Sequence, residues 1–130
     1  MKIIFICTRS ITFNTFLKSQ ANYFIKKGFE VKVACSDSEK LDFDSNLNIK
    51  INFPVKISEF FDITRYLKIF FQIKSLVKKN NKTLFFIHTP VASHLFRIFT
   101  FFNKLKIIYF VHGFRFTSNT GYIKSLIFKA

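Results

Sequence analysis

Short apolar runs alternate along this chain with stretches whose apolar residues recur at the helical period, and few folds accommodate that alternation. Ile3 to Cys7 is an apolar run of strand length, consistent with a strand buried on both faces. The polar segment Thr8 to Asn14 follows, with Thr12 and Asn14 as candidate helix caps. From Thr15 a helical period emerges in Phe16, Leu17, Ala21, Phe24 and Ile25, and Lys26-Lys27-Gly28 closes it with cations followed by glycine. Phe29 to Cys35 reads as a second strand, Ser36 to Asn48 as an acidic loop, and Ile49 to Phe53 as a third strand stopped by Pro54.

The second half repeats the pattern. Beyond the linker Val55 to Phe61, Asp62 can cap a helix whose apolar side is Ile63, Tyr66, Leu67, Phe70, Ile73, Leu76 and Val77, ending across Lys78 to Lys82. Leu84 to Ile87 is a strand closed by His88-Thr89-Pro90, and Val91 to Phe102 a helix. Ile107 to Val111 is a fifth strand closed by His112-Gly113, and Gly121 begins a last helix to Phe128. Strands separated by helices imply parallel βαβ units with right-handed crossovers. The expected fold is therefore α/β: a three-layer, Rossmann-like parallel sheet of the doubly wound type, in a single domain of 130 residues.

Composition removes several function classes. With 49% hydrophobic residues, 21 of them Phe, the chain is no disordered basic tail. Two cysteines at strand ends, Cys7 and Cys35, read as buried thiols rather than a disulfide scaffold. Ile3 to Cys7 is short for a signal-peptide core. The longest stretch without Lys, Asp or Glu, Thr83 to Asn103, contains His88, Pro90, His94 and Arg97, which are costly in lipid, so it reads as strand, turn and helix. The cytoplasm is the expected location.

Charge divides the chain. The formal net charge is +14, and all seven acids lie between Glu30 and Asp62. From Ile63 onward twelve Lys or Arg remain with no Asp or Glu, so no carboxylate there can serve as base, nucleophile or metal ligand. That half carries a positive field suited to phosphates or an anionic membrane surface.

Three polar clusters fall at the carboxyl ends of strands, where open α/β sheets bind ligands: Thr8 to Asn14, His88 to Pro90 and His112 to Asn119. His112 offers a donor or acceptor near neutral pH, and Gly113 allows close backbone approach. The first loop lacks the glycines of a dinucleotide fingerprint, so neither nicotinamide nor flavin is expected as cofactor. No carboxylate or thiol neighbours the histidines in sequence, so no metal site is expected. Asp42-Phe43-Asp44 matches a D-x-D pattern only by three residues in a Ser/Asn-rich loop and carries no weight.

The segment HTPVASHLFRIFTFFNKLKIIYFVHGFRF, His88 to Phe116, resembles the N-terminal domain of family 4 glycosyltransferases, which carry a similar H-T-P-x-A block, a helix, and a strand ending in H-G-F. The opening strand and the GFEVKV strand also fit, so the resemblance covers nearly the whole chain. It implies half of a GT-B fold, in which two Rossmann-like domains flank a cleft. The N-terminal domain takes the acceptor, and the C-terminal domain takes the nucleotide-sugar, a substrate rather than a cofactor. The reaction is retaining and metal-independent. On that basis His112 is the expected catalytic residue facing the transferred sugar. Arg9, Ser10, Thr12, Asn14, His88, Thr89, Gly113 and Arg115 are the expected substrate-binding residues.

Such enzymes are two or three times longer, and the donor-site glutamate motif is missing here. The expectation is that residues 1–130 form the acceptor-side domain without its donor domain, inactive alone: a truncated frame, a split gene or a fragment. The expected setting is bacterial surface polysaccharide synthesis on a lipid-linked acceptor, peripheral on the inner membrane face. A separate C-terminal domain chain is a possible partner. The competing readings are a basic module binding nucleic acid or a membrane surface, and a gene remnant without function. No helix-turn-helix, zinc or RNP-type signature supports nucleic acid, so none is expected as partner.

Overall fold

Five parallel strands form one sheet in the order β3-β2-β1-β4-β5. The strands are β1 (Lys2–Ile6), β2 (Glu30–Cys35), β3 (Asn48–Lys50), β4 (Thr83–Ile87) and β5 (Lys106–Tyr109). The computed structural model describes residues 1–78, 82–102 and 104–110. The end of the second expected helix (79–81), the close of the fifth strand at Val111 and the expected helix from Gly121 lie outside those residues, as do His112, Gly113 and Arg115.

Alternation across β1 builds two cores. Ile4 and Ile6 point to one face, where they meet Phe85 and Ile87 of β4, Ile69, Ile73 and Leu76 of α3 (Ile63–Lys78), and Ala92, Phe96 and Phe99 of α4 (Pro90–Phe102). Ile3 and Phe5 point to the other, against Phe13, Leu17 and Ala21 of the first helical segment and Val31 and Val33 of β2. β1 and β4 are thus covered on both faces, which is why they read as continuous apolar runs. Each such Ile or Phe contributes on the order of 1.5–3 kcal/mol by leaving water. Among the described residues, two helices on one face and one on the other make the three-layer α/β arrangement expected from the sequence.

The first helical segment departs from expectation. It starts at Ser10 rather than Thr15, as a short α1 (Ser10–Thr12), runs through a π-helical stretch (Phe13–Leu17) and continues as α2 (Lys18–Lys26). Thr12 and Asn14 therefore lie inside the helical run rather than capping it. The wider π turn shifts the phase of the apolar stripe: Phe13 is fully buried, whereas Phe16, expected in the core, is 68% exposed.

The C-terminus matches expectation. Gly28 has φ +86°, its N–H donates to Ile25 O at 2.9 Å, and Phe29 N–H donates to Phe24 O at 3.1 Å. With the Phe24 and Phe29 rings 5.7 Å apart, this is a complete Schellman stop with its apolar clasp. Asp62 caps α3 as expected, accepting Arg65 N–H at 3.2 Å and the Thr64 hydroxyl at 2.6 Å. The linker before it is not structureless. Ile57–Phe61 forms a 3-10 turn, held by Glu59 accepting from Val55 N–H at 2.7 Å and Lys56 N–H at 3.1 Å.

Candidate functional site

The chain winds outward from β1 through β2 to β3, then crosses back to β4 and on to β5. Strand order reverses between β1 and β4, and the carboxyl ends of those two strands frame the crevice where open α/β sheets bind ligands. The ladder continues beyond the strands at this edge: His88 N–H donates to Ile6 O at 2.9 Å, and Cys7 N–H to Ala34 O at 3.1 Å.

Thr8 is the junction of the edge. Its carbonyl accepts both Ser36 N–H at 3.1 Å and the Ser36 hydroxyl at 2.6 Å, which ties the β1 loop to the β2 loop. Its hydroxyl shares a 2.7 Å hydrogen bond with the Thr89 hydroxyl, which ties the β1 loop to the β4 loop. Thr89 precedes Pro90, the first residue of α4, and its carbonyl accepts Ser93 N–H at 2.9 Å. Proline at that position sacrifices no helical hydrogen bond.

Ser10 is buried, and both its donors are spent inside the chain. Its N–H reaches Asp37 Oδ1 at 2.6 Å and its hydroxyl reaches Asp37 Oδ2 at 2.9 Å. Burial opposes the Asp37 charge, but the two bonds from Ser10, with Arg9 nearby, outweigh it and hold the carboxyl below its usual value. The amino end of a helix attracts an anion, and here the anion is the protein's own. Asn14 is a clamp as well: its Nδ2 donates to Lys40 O at 3.0 Å and its Oδ1 accepts Asp42 N–H at 2.9 Å. Arg9 is exposed at the edge and Thr12 half-exposed behind it.

His88 is buried in an aromatic stack. Its ring lies 5.5 Å from that of Phe5 at 6° and 4.8 Å from that of Phe110 at 13°. Phe110 N–H donates to Ile87 O at 2.9 Å, so the ladder continues past β5 to Phe110 beside this stack. The structure thus gathers Arg9, Ser10, His88 and Thr89 at one edge, with Asn14 bracing the loop behind it.

Sequence reading placed Thr8 in the first polar cluster but missed Ser36 and Asp37 as builders of this edge. Ser36 directly follows an apolar strand run and Asp37 comes one residue later, and that position is the signal that marks them. Cys7 and Cys35 are free and buried. Hydrogen bonding with the Cys35 thiol, then burial, pushes the Cys7 thiol well above its ordinary range, so it is an inert core group. Asp42 pairs with Lys18, and Asp44 Oδ1 accepts Asn46 N–H at 3.0 Å, so both carboxylates of the D-x-D are engaged locally. Among the described residues no group of three or more His, Cys, Asp or Glu is placed to hold a metal ion. No helix among them is long and apolar enough to cross a membrane.

The profile of the family described as "Glycosyl transferase 4-like" matches residues 2–130. No curated protein and no solved structure matches the chain. The family match spans the sheet, its helices and the whole carboxyl edge, and the chain belongs to the glycosyl transferase 4-like family.

Proposed function

We propose that this glycosyl transferase 4-like domain is the acceptor-binding half of a retaining enzyme of bacterial surface polysaccharide synthesis. It works at the cytoplasmic face of the membrane on a lipid-linked sugar. The nucleotide-sugar is held mainly by a second Rossmann-like domain, covalently joined or supplied by a separate chain, and this domain is inactive without it.

One observation carries the reading: a family match over residues 2–130 coincides with a built polar edge at the β1/β4 reversal. In this reading Arg9 presents an exposed polar group, and Thr12 a half-exposed one, to the acceptor. Ser10 and Asn14 act one step back by holding the loop that carries them. Thr8 and Thr89 lock two loops at a common height, so that an acceptor hydroxyl meets a fixed surface; preorganisation of this kind removes part of the entropic barrier. His88 supplies the aromatic floor. His112 faces the transferred sugar, and Gly113 and Arg115 take part in substrate binding. The first two assignments rest on the family's H-G-F pattern and on the position after a strand, and that of Arg115 on its place two residues further on.

The test is transfer of a radiolabelled sugar to a lipid-linked acceptor. The chain alone and the chain fused to a donor domain of the same family are compared. The reading expects transfer from the fusion and none from the chain alone. Turnover by the isolated chain contradicts the division of labour, and a folded fusion without transfer to any lipid-linked acceptor contradicts the acceptor role.

A further inference from the structure

The residue that starts the first helix is the wrong type for its place. Arg9 is the N-cap of α1, extended at φ −131° and ψ 150°, and its side chain makes no capping bond. Arginine has no acceptor to offer the first N–H groups of a helix, and its charge sits at the positive end of the helix dipole. Serine, asparagine or aspartate would be more stable there.

The fold compensates from a distance. Asp37, in the loop after β2, supplies the missing acceptor to both donors of Ser10, and with it the missing negative charge. Burial opposes that charge, and the Ser10 bonds and then Arg9 itself favour it. The backbone around Arg9 is pinned on both sides: the Thr8 carbonyl is held by Ser36, and Thr12 N–H donates to Arg9 O at 3.2 Å. From Cys7 to Ser10 only Arg9 is exposed. Asp37 gives one oxygen to each Ser10 donor instead of closing on Arg9, and among the described residues neither belongs to a salt bridge. The guanidinium therefore stands at the carboxyl edge with its backbone fixed and its charge compensated. Locally unfavourable residues that the rest of the fold compensates mark functional positions.

The chemistry of the position names the ligand. Thr8 to Asn14 contains no glycine, so the backbone of this loop cannot close on an anion as a glycine-rich loop does, and Ser10 N–H is already taken. Recognition of an anion here falls to a side chain, and the planar fork of arginine matches the paired oxygens of a phosphate or carboxylate. We infer that Arg9 is the anion-recognising residue of the crevice, taking a phosphate or carboxylate group of the acceptor, and that Asp37 is its positioning residue. This inference rests on the acceptor role proposed above and names the chemical group that the crevice reads.

Two measurements test it. In the 130-residue chain, Arg9→Asn installs a good cap, so the urea midpoint is expected to rise. A lower midpoint overturns the compensation. In a fusion with a donor domain of the same family, KM and kcat are measured with three acceptors: a neutral sugar on an alkyl diphosphate, an acidic sugar as its alkyl glycoside, and the neutral sugar as its alkyl glycoside. Arg9→Asn is expected to raise KM about tenfold for a charged acceptor, with kcat within about twofold and the neutral glycoside unaffected. A rise on the diphosphate assigns phosphate, and a rise on the acidic glycoside assigns carboxylate. Asp37→Ala is expected to raise the same KM, and Arg9→Asn/Asp37→Ala to be no worse than Arg9→Asn alone. Asp37→Asn, which keeps the size of the side chain, serves if Asp37→Ala does not fold. Additive effects overturn the positioning role of Asp37. An equal rise for the neutral glycoside, or no rise for any acceptor, overturns the anion role while the acceptor reading survives. A folded wild-type fusion that transfers to none of the three overturns both.

Discussion

Asp37 grips the start of the first helix at Ser10, one carboxylate oxygen on the backbone N–H at 2.6 Å and the other on the side-chain hydroxyl at 2.9 Å. The acid comes from the loop after β2, so this contact fastens two edge loops together while capping the helix. Removing it with Asp37→Ala is expected to cost about 1 kcal/mol, the usual worth of a lost cap, read as a lower urea midpoint at unchanged slope. An unchanged midpoint would mean that the cap contributes nothing to stability.

The same carboxylate sets a pH dependence. Its folded pKa lies below the ordinary value near 4, so its stabilisation is fully present above about pH 4 and fades as pH falls through the folded value. Asp62, lowered first by the Thr64 hydroxyl and then by Arg65 N–H, and Glu59, lowered by Val55 and Lys56 N–H, act in the same direction. Urea midpoints should drop as pH falls below about 4–5, and Asp37→Asn should flatten part of that drop. A midpoint that rises toward acid would contradict the assignment.

Gly28 ends the first helix with φ +86° and open space where a Cβ would stand, so only backbone strain opposes a side chain there. Gly28→Ala is expected to destabilise by about 1–2 kcal/mol, and Gly28→Asn by less, because asparagine tolerates the left-handed region. Equal stability of all three would show that the Schellman stop is dispensable.

His88→Phe separates packing from chemistry. A phenyl ring can occupy the Phe5–Phe110 stack, so the thermal midpoint should stay within a few degrees of wild type. If His88 is only the floor of the crevice, a fused enzyme should keep its kcat while KM changes modestly. A loss of kcat at preserved stability would make the imidazole a working group.

What the sequence reveals here is what local physics controls. β1 and β4 stand out because burial on both faces demands uninterrupted apolar runs, and the Lys26-Lys27-Gly28 stop depends on neighbours alone. The start of the first helix is illegible locally because its cap, Asp37, lies 27 residues away. Phe16 and Phe13 exchange roles because a π turn alters the period that pattern reading assumes constant. The edge is legible as loops after strands, but the Thr8–Thr89 contact joins residues 81 apart and follows only from strand order. α3's outward apolar residues are visible in the sequence, yet the period alone assigns them to the core side.

The central claim is that the carboxyl edge of this sheet receives the sugar acceptor and that the H-G-F segment meets the sugar in transfer. The most direct measurement is kcat/KM and thermal midpoint for His112→Ala in a fusion of this chain with a donor domain of the glycosyl transferase 4-like family. A site role predicts a fall in kcat/KM of tenfold or more, above about 1.4 kcal/mol, with the midpoint unchanged. A stable His112→Ala fusion that transfers sugar at the wild-type rate would contradict it.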